Sequence, residues 1–310
     1  MGELKHYNRR DFLKLAIGSG VLFLNAGLKA NDLTSQKNLK KLTILYTNDQ
    51  HSRIDPFPDN DPKFAGKGGF AKRAKLIQQI RSEEKDILLL DAGDIFQGTP
   101  YFNYYHGELE FKLMTQMGYD AATLGNHDFD MGIDNIILQM PHAQFPFINC
   151  NYNFSDTALN GKILPYKTFK KGGITIGVLG VGIELDGLVE KKNYGNIKYN
   201  NPIDCANSTA LHLKNNLNCD YVICLSHLGY KYDSNKISDI ILAQQTKNID
   251  LIIGGHTHTF LEEPVAVKNA DGLEALITQV GWAGIWLGRL DVSFTERNKK
   301  VLHKGKNEII

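Results

Sequence analysis

Five short apolar runs in this 310-residue chain each end in a carboxylate or an imidazole. Residues 42–46 run into Asn48-Asp49-Gln50-His51, 87–90 into Asp91-Ala92-Gly93-Asp94, and 121–124 into Gly125-Asn126-His127-Asp128. Residues 221–225 run into Ser226-His227, and 251–253 into Gly254-Gly255-His256-Thr257-His258. Continuous apolar runs of this length read as strands covered on both faces, and those at 147–150 and 174–180 join the set. Between the strands, apolar residues recur at helical spacing: Phe70, Ala74, Ile77 and Ile80, then Leu109, Leu113 and Met117, and later Leu211, Leu217 and their neighbours. The alternation predicts a layered α/β fold, with mixed β-sheets flanked by helices. Lys171-Gly172-Gly173 between 166–169 and 174–178 predicts a hairpin, so part of the sheet should be antiparallel. The last clear strand is expected at 285–294.

In an α/β sheet the loops after the carboxyl ends of the strands share one edge, where ligands bind. Asp49, His51, Asp94, Asn126, His227, His256 and His258 are therefore delivered to one place. Taken singly, such an Asp is a turn or helix cap and such a His a satisfied core or surface residue. Taken together, that reading needs an independent coincidence after each strand. Oxygen and imidazole donors without thiolate suit Zn, Mn, Fe or Co, and these donors are too many for one tetrahedral ion. Two divalent metal ions sharing a bridging carboxylate fit the count.

Composition removes other classes. With 35 Lys+Arg against 34 Asp+Glu the net charge is +1, so no field gathers nucleic acid or an anionic membrane, and no nucleic-acid binding is expected. A chain that is 42% hydrophobic and 22% charged is neither disordered nor a coiled coil. Four cysteines without a CxxC pair give no disulfide scaffold; Cys150 and Cys224 read as small buried hydrophobes.

The amino terminus reads Asn8-Arg9-Arg10-Asp11-Phe12-Leu13-Lys14 followed by an apolar run at 15–26, shorter than the roughly 20 residues that cross a bilayer. It resembles a twin-arginine signal peptide, which places the signal at 1–30, a linker at 31–40 and a single domain at 41–310. The implied location is exported and periplasmic, with no stable membrane span unless the signal is retained as an anchor. Twin-arginine export carries folded proteins, so the metals would be inserted in the cytoplasm.

At the ligand loops the sequence resembles the calcineurin-like metallophosphoesterases, whose pattern appears as Asp49-Gln50-His51, Gly93-Asp94, Gly125-Asn126-His127-Asp128, His227 and Gly255-His256-Thr257-His258. Gly68-Gly69 with Ala71 and Arg73, Gln97-Gly98-Thr99-Pro100 after Asp94, and Met117-Gly118-Tyr119-Asp120 sharpen the likeness to the catalytic, amino-terminal domain of the 5′-nucleotidase family. The resemblance runs from about Leu42 to Phe294. It implies that Asp49, His51, Asp94 and His258 hold one metal, and that Asp94, Asn126, His227 and His256 hold the other, with Asp94 bridging. It also implies that His127 stabilises the transition state or protonates the leaving oxygen, oriented by Asp130 in preference to Asp128. Ser52 stands where relatives often have Gly.

The implied activity is that of a dinuclear phosphohydrolase using a metal-bridging hydroxide on a small-molecule phosphoester, a nucleotide in the first instance. The same machinery would serve 2′,3′-cyclic nucleotides, nucleotide sugars or a thiosulfonate carrier, and a non-catalytic binding subunit is the reading from another class. Family members usually continue into a domain that supplies arginines for phosphate and aromatics for the base. The chain is expected to lack that domain and to work alone or with a separately encoded carboxy-terminal-domain protein. No substrate-binding residue is assignable from sequence. Tyr101, Phe102, Tyr104 and Tyr105 would either clasp a base or pack their loop onto the next helix, and Arg53 would either reach a phosphate or join a surface ion pair.

Overall fold

A computed structural model describes residues 39–310; the expected signal peptide and all of the expected linker before residue 39 lie outside the described residues. Lys40, the last residue of that expected linker, opens the first strand. In chain order the strands are β1 (Lys40–Thr47), β2 (Ile87–Asp91), β3 (Ala121–Ala122), β4 (Tyr152–Asn153), β5 (Tyr166–Lys171), β6 (Ile174–Gly182) and β7 (Lys198–Tyr199). They continue as β8 (Tyr221–His227), β9 (Leu251–Gly254), β10 (Val265–Lys268), β11 (Glu274–Thr278), β12 (Trp286–Phe294), β13 (Lys300–Gly305) and β14 (Glu308–Ile309). The helices are α1 (Phe70–Glu83), α2 (Pro100–Tyr105), α3 (Glu108–Met117), α4 (Gly132–Gln139), α5 (Lys191–Tyr194), α6 (Pro202–Asn215) and α7 (Asp239–Gln245).

Two six-stranded sheets form the centre. One runs β13-β12-β1-β2-β3 with β14 added to β12, and the other β10-β11-β9-β8-β6-β5. β1, β2 and β3 are parallel, as are β6, β8, β9 and β11, while β12, β13, β5 and β10 join antiparallel. The β5–β6 hairpin closes through Gly172 and Gly173, both at positive φ as a tight turn of that hand requires. Strand periodicity sorts the core. Leu42, Ile44 and Tyr46 of β1 point between the sheets, against Val178, Ile223 and Ile253, whereas Leu45 points to the helices with Ile77, Phe111 and Met114. The outer face of the second sheet, Val222, Cys224 and Ile252, packs on Ala206, Ala210 and Leu213 of α6 and Leu242 of α7. Each fully buried aliphatic side chain contributes about 1.5–3 kcal/mol, so this double-faced burial is what makes the apolar runs continuous.

Several expectations shift. The run at 121–124 keeps only Ala121–Ala122 as strand, and 147–150 makes isolated bridges, Phe147 to Ala122 and Ile148 to Leu164. The Asn149 carboxamide then accepts the N–H groups of Asn151 and Tyr152 and turns the chain away. In α3 the buried stripe is Phe111, Met114 and Met117, with Leu113 at its edge. In α6 the small residues Ala206 and Ala210 are buried with Leu213, while Leu211 is exposed, as is Leu217 just beyond the helix. Two strands, β13 and β14, follow β12. Cys224 is buried, Cys150 is partly so, and all four cysteines are free. Among the described residues no helix is long and apolar enough to cross a membrane.

Candidate metal centre

The loops after β1, β2, β3, β8 and β9 converge in a strained arrangement. Asp49, His51, Asp94, His256 and His258 all hold φ between 47° and 71°. That conformation costs an L-residue about 1–2 kcal/mol and persists only where the surroundings impose it. The first two loops run alongside each other: Asp49, His51 and Ser52 donate backbone N–H to the carbonyls of Gly93, Asp94 and Ile95, at 2.9, 3.1 and 2.9 Å. Ala283 N–H closes on the Asp49 carbonyl at 2.7 Å. Gly125 passes so close to Asp94 that a Cβ there would strike both its carboxylate and its backbone.

Three side chains outside the expected set hold these loops. The Asp128 carboxylate accepts four backbone N–H groups: Asp94 and Gly125 on Oδ2 at 3.1 and 2.8 Å, Ile95 and Phe96 on Oδ1 at 3.0 and 3.1 Å. Asn48 donates to Asp49 Oδ2 and the Gly281 carbonyl, both at 2.6 Å, and accepts Val280 N–H at 2.9 Å. Gln279, just past β11, donates to the Gly255 carbonyl at 2.7 Å and accepts from Thr259 N–H and from Thr257 Oγ1. It thereby grips the turn that carries His256 and His258. In the sequence Asn48 stands out only as the neighbour of Asp49, and Asp128 only as an alternative partner for His127. Gln279 gave no sequence signal.

All seven expected ligands arrive together. Asp49, His51 and His258 form one group able to hold a metal ion and Asp94, His227 and His256 a second, with the donor atoms of each within 4.8 Å of one another. Asp94 Oδ2 lies 3.0 Å from His227 Nε2 and 3.9 Å from His51 Nε2, so one carboxylate faces both groups. Asn126 Oδ1 lies beside the second group, 2.8 Å from His256 Nδ1. His258 stacks flat on Trp282, at 5.5 Å and 5°.

The donor chemistry fits cations. His227 Nδ1 donates to the Ala92 carbonyl at 2.7 Å, so in the neutral ring Nε2 is a lone pair; that atom is buried without a hydrogen-bond partner, 3.0 Å from a carboxylate oxygen. His51 Nδ1 faces the Phe96 carbonyl at 3.3 Å, which turns its Nε2 lone pair toward His258 Nε2 at 3.0 Å. When the His227 ring is neutral, its Nε2 lone pair and the Asp94 carboxylate oxygen face one another and need a positive charge, a proton or a metal ion, between them, and backbone carbonyls fixing the opposite ring nitrogens are the usual support of metal-binding imidazoles.

Charge follows the same geometry. Burial resists a positive His227, but the Asp94 carboxylate outweighs it and pushes the ring up to about 10. Burial likewise opposes the Asp94 charge, and His227 with His51 holds it well below the usual carboxylate range. Burial and then the charge on His227 bring His256 down to about 4. Asp128 is pushed up to about 7 by burial and by Asp94, against the pull of its backbone donors.

Beside the groups, His127 Nδ1 lies 2.8 Å from Asp130 Oδ2, and that hydrogen bond raises the pKa of the ring. The His127 and His51 rings are 5.4 Å apart, and His127 N–H donates to Asp94 Oδ1 at 2.8 Å. Asp128, the alternative partner for His127, is spent on backbone. The Arg53 guanidinium stacks on the Phe57 ring at 4.2 Å.

Comparison with known proteins gives the same picture. Residues 42–260 match the family model for calcineurin-like phosphoesterase. The chain is 32% identical over 286 residues to the 5′-nucleotidase of Rattus norvegicus, covering 86% of this chain and 48% of that one. It is 33% identical to the snake venom 5′-nucleotidase of Naja atra, covering 86% and 52%. The crystal structure of a 5′-nucleotidase precursor from Thermus thermophilus superposes with a TM-score of 0.79 at 29% identity, covering 87% of this chain and 54% of that one. The chain thus spans about half the length of the curated relatives it matches. Two parallel-centred sheets, Asp and His donors gathered at their carboxyl ends, and a family match that spans every one of those donors lead to one assignment: the chain belongs to the calcineurin-like phosphoesterase family.

Proposed function

We propose that this chain is an exported, metal-dependent hydrolase of nucleotide phosphate esters, of the 5′-nucleotidase type. The observation that carries the chemistry is the convergence of two donor groups on Asp94, with the His127–Asp130 pair beside them. Likeness to 5′-nucleotidases over 86% of the chain supports the substrate class, and the Arg9-Arg10 segment before an apolar run supports export.

In this reading Asp49, His51, Asp94 and His258 hold one divalent ion, and Asp94, Asn126, His227 and His256 the other. Two such ions supply a water that ionises near neutral pH and positive charge for the phosphoryl oxygens. The protein does the rest. Asp128, Asn48 and Gln279 fix the ligand loops before substrate arrives. Asp130 holds His127 at Nδ1 and favours the protonated ring, so that Nε2–H of the imidazolium is the proton donor for the departing ester oxygen and the ring is left neutral with its proton on Nδ1.

The test is phosphate release by the purified chain loaded with manganese or zinc, on nucleoside monophosphates, 2′,3′-cyclic nucleotides, nucleotide sugars and a thiosulfonate. Turnover should favour nucleoside monophosphates, vanish with chelator and return with metal. Asp94→Asn should lose on the order of 10³-fold, as expected for removing a group that organises transition-state charge. Full activity in that variant, or in chelator, would overturn the reading.

A further inference from the structure

A nucleotide held by its phosphate at the metal centre also presents a base. Of the four aromatic residues on α2, only Phe102 is buried, packed on Phe96 with ring centroids 5.3 Å apart. Tyr104 is 77% exposed and Tyr105 39%, their rings 4.7 Å apart at 71°. Tyr101 lies parallel to Tyr105 at 6.5 Å, and its hydroxyl donates to Asp55 at 2.6 Å. Phe102 is thus the buried aromatic anchor of the helix, and burial gives no reason for the outward tyrosines. With Arg53 and Pro100 they line a cavity of about 520 Å³, within the size range of small-ligand sites.

The position of α2 gives this cavity a function. Thr99 Oγ1, at its start, donates to the carbonyl of Ser52, the residue after His51, at 2.7 Å. A Cβ at Gly98 would strike His51. Past its end, His106 Nδ1 lies 3.0 Å from Sδ of Met131, the residue after Asp130. The helix is thus pinned between the loop of His51 and the loop that carries His127 and Asp130. The cavity, which Arg53 two residues after His51 also lines, therefore borders the loops that in the reading above hold the phosphate ester and its leaving oxygen, and the leaving oxygen carries the nucleoside.

We infer that Tyr104 and Tyr105 form a stacking platform for the base of the nucleotide, with Arg53 and Asp55 offering a donor and an acceptor to the ribose hydroxyls. The inference rests on the nucleotide reading above and adds to it a recognition site on this chain itself. Every base has a π-face, so the platform should tolerate any base while discriminating against phosphoesters that have none.

The experiment compares kcat/KM for AMP with that for ribose 5-phosphate, the same ester without the base, in wild type, Tyr104→Ala, Tyr105→Ala and Tyr104→Phe. Tyr104 is exposed, so its substitution leaves the core intact. The wild-type preference for AMP should fall roughly five- to tenfold or more in each Ala variant, mostly through KM, and Phe should restore it. Adenosine, which has no phosphate, should inhibit wild type competitively and the Ala variants more weakly. A wild type without preference for AMP, or a preference that Tyr104→Ala and Tyr105→Ala leave unchanged, overturns the platform while nucleotide hydrolysis stands. Failure of wild type to release phosphate from either ester overturns the hydrolase reading and the platform with it.

Discussion

Nδ1 of His127 lies 2.8 Å from Oδ2 of Asp130, three residues further along the chain. A ring held that way, once protonated, can give up a proton only through Nε2, and in the proposed mechanism it gives that proton to the leaving oxygen. An alkoxide leaving group from a nucleotide needs that proton far more than the stabilised anion of p-nitrophenyl phosphate. His127→Ala should therefore lower kcat on AMP by about 10²–10⁴-fold and on p-nitrophenyl phosphate much less. Asp130→Asn should show the same asymmetry at a smaller amplitude. Equal losses on both esters would remove the proton-donor role and leave His127 as a charge or a brace.

The donor set was legible because each donor follows an apolar strand, and parallel strands bring their carboxyl ends to one edge. Asp49, Asp94 and His256 needed no long-range information. The clamps did. Gln279 bonds the carbonyl of Gly255, 24 residues away in sequence, through a contact that no local pattern encodes. The helix α1 buries the expected face, with Phe70, Ile77 and Ile80 in the core, but α6 is rotated from the expected one: leucine dominates any reading of apolar spacing, whereas α6 turns Ala206, Ala210 and Leu213 to the second sheet and leaves Leu211 exposed. β13 escaped notice because Lys300, Lys304 and Lys306 in and beside it interrupt the apolar run, as edge strands commonly require.

Asp128 collects four N–H groups from the two loops that present Asp94 and Asn126. Removing the carboxylate strands buried donors, each costing about 1–3 kcal/mol unless water enters. Asp128→Ala should lower stability by roughly 3 kcal/mol or more, and Asp128→Asn, which turns one acceptor into a donor facing donors, by somewhat less. Urea unfolding of the chelated protein measures this. A change below about 0.5 kcal/mol in Asp128→Ala would show that the loops hold their shape without it.

Gln279 touches no expected ligand, yet it grips both sides of the His256–His258 turn through Gly255, Thr257 and Thr259. Its loss should free two imidazoles from their left-handed backbone. Gln279→Ala should weaken metal affinity about 10- to 100-fold, the usual cost of losing a residue that orients ligands, while the circular dichroism spectrum stays native. Direct metal titration decides it, and an unchanged affinity would confine Gln279 to the fold. Gln279→Glu should be no better than Ala, since it sets a carboxylate oxygen against the Gly255 carbonyl.

Asp239 opens α7 fully buried, accepting Ser226 Oγ at 2.5 Å on one oxygen while the other has no partner. Burial pushes its carboxyl up to about 8, opposed by the Ser226 hydrogen bond and by His227 and reinforced by Asp49; Tyr232 and Cys224 also face it. In the unfolded chain the same group titrates near the ordinary value of about 3.9. Between roughly pH 4 and pH 8 the folded protein therefore keeps a proton that the unfolded chain has released. Its stabilising contribution is complete below that window and drains away as pH rises through it, at up to about 1.4 kcal/mol per pH unit. Asp239→Asn cannot titrate. Its stability relative to wild type should rise steadily from pH 5 to pH 8, measured by urea unfolding with both proteins chelated so that metal does not differ between them. A difference that stays constant across that range would mean that Asp239 is ionised in the folded protein throughout, with its second oxygen satisfied by water.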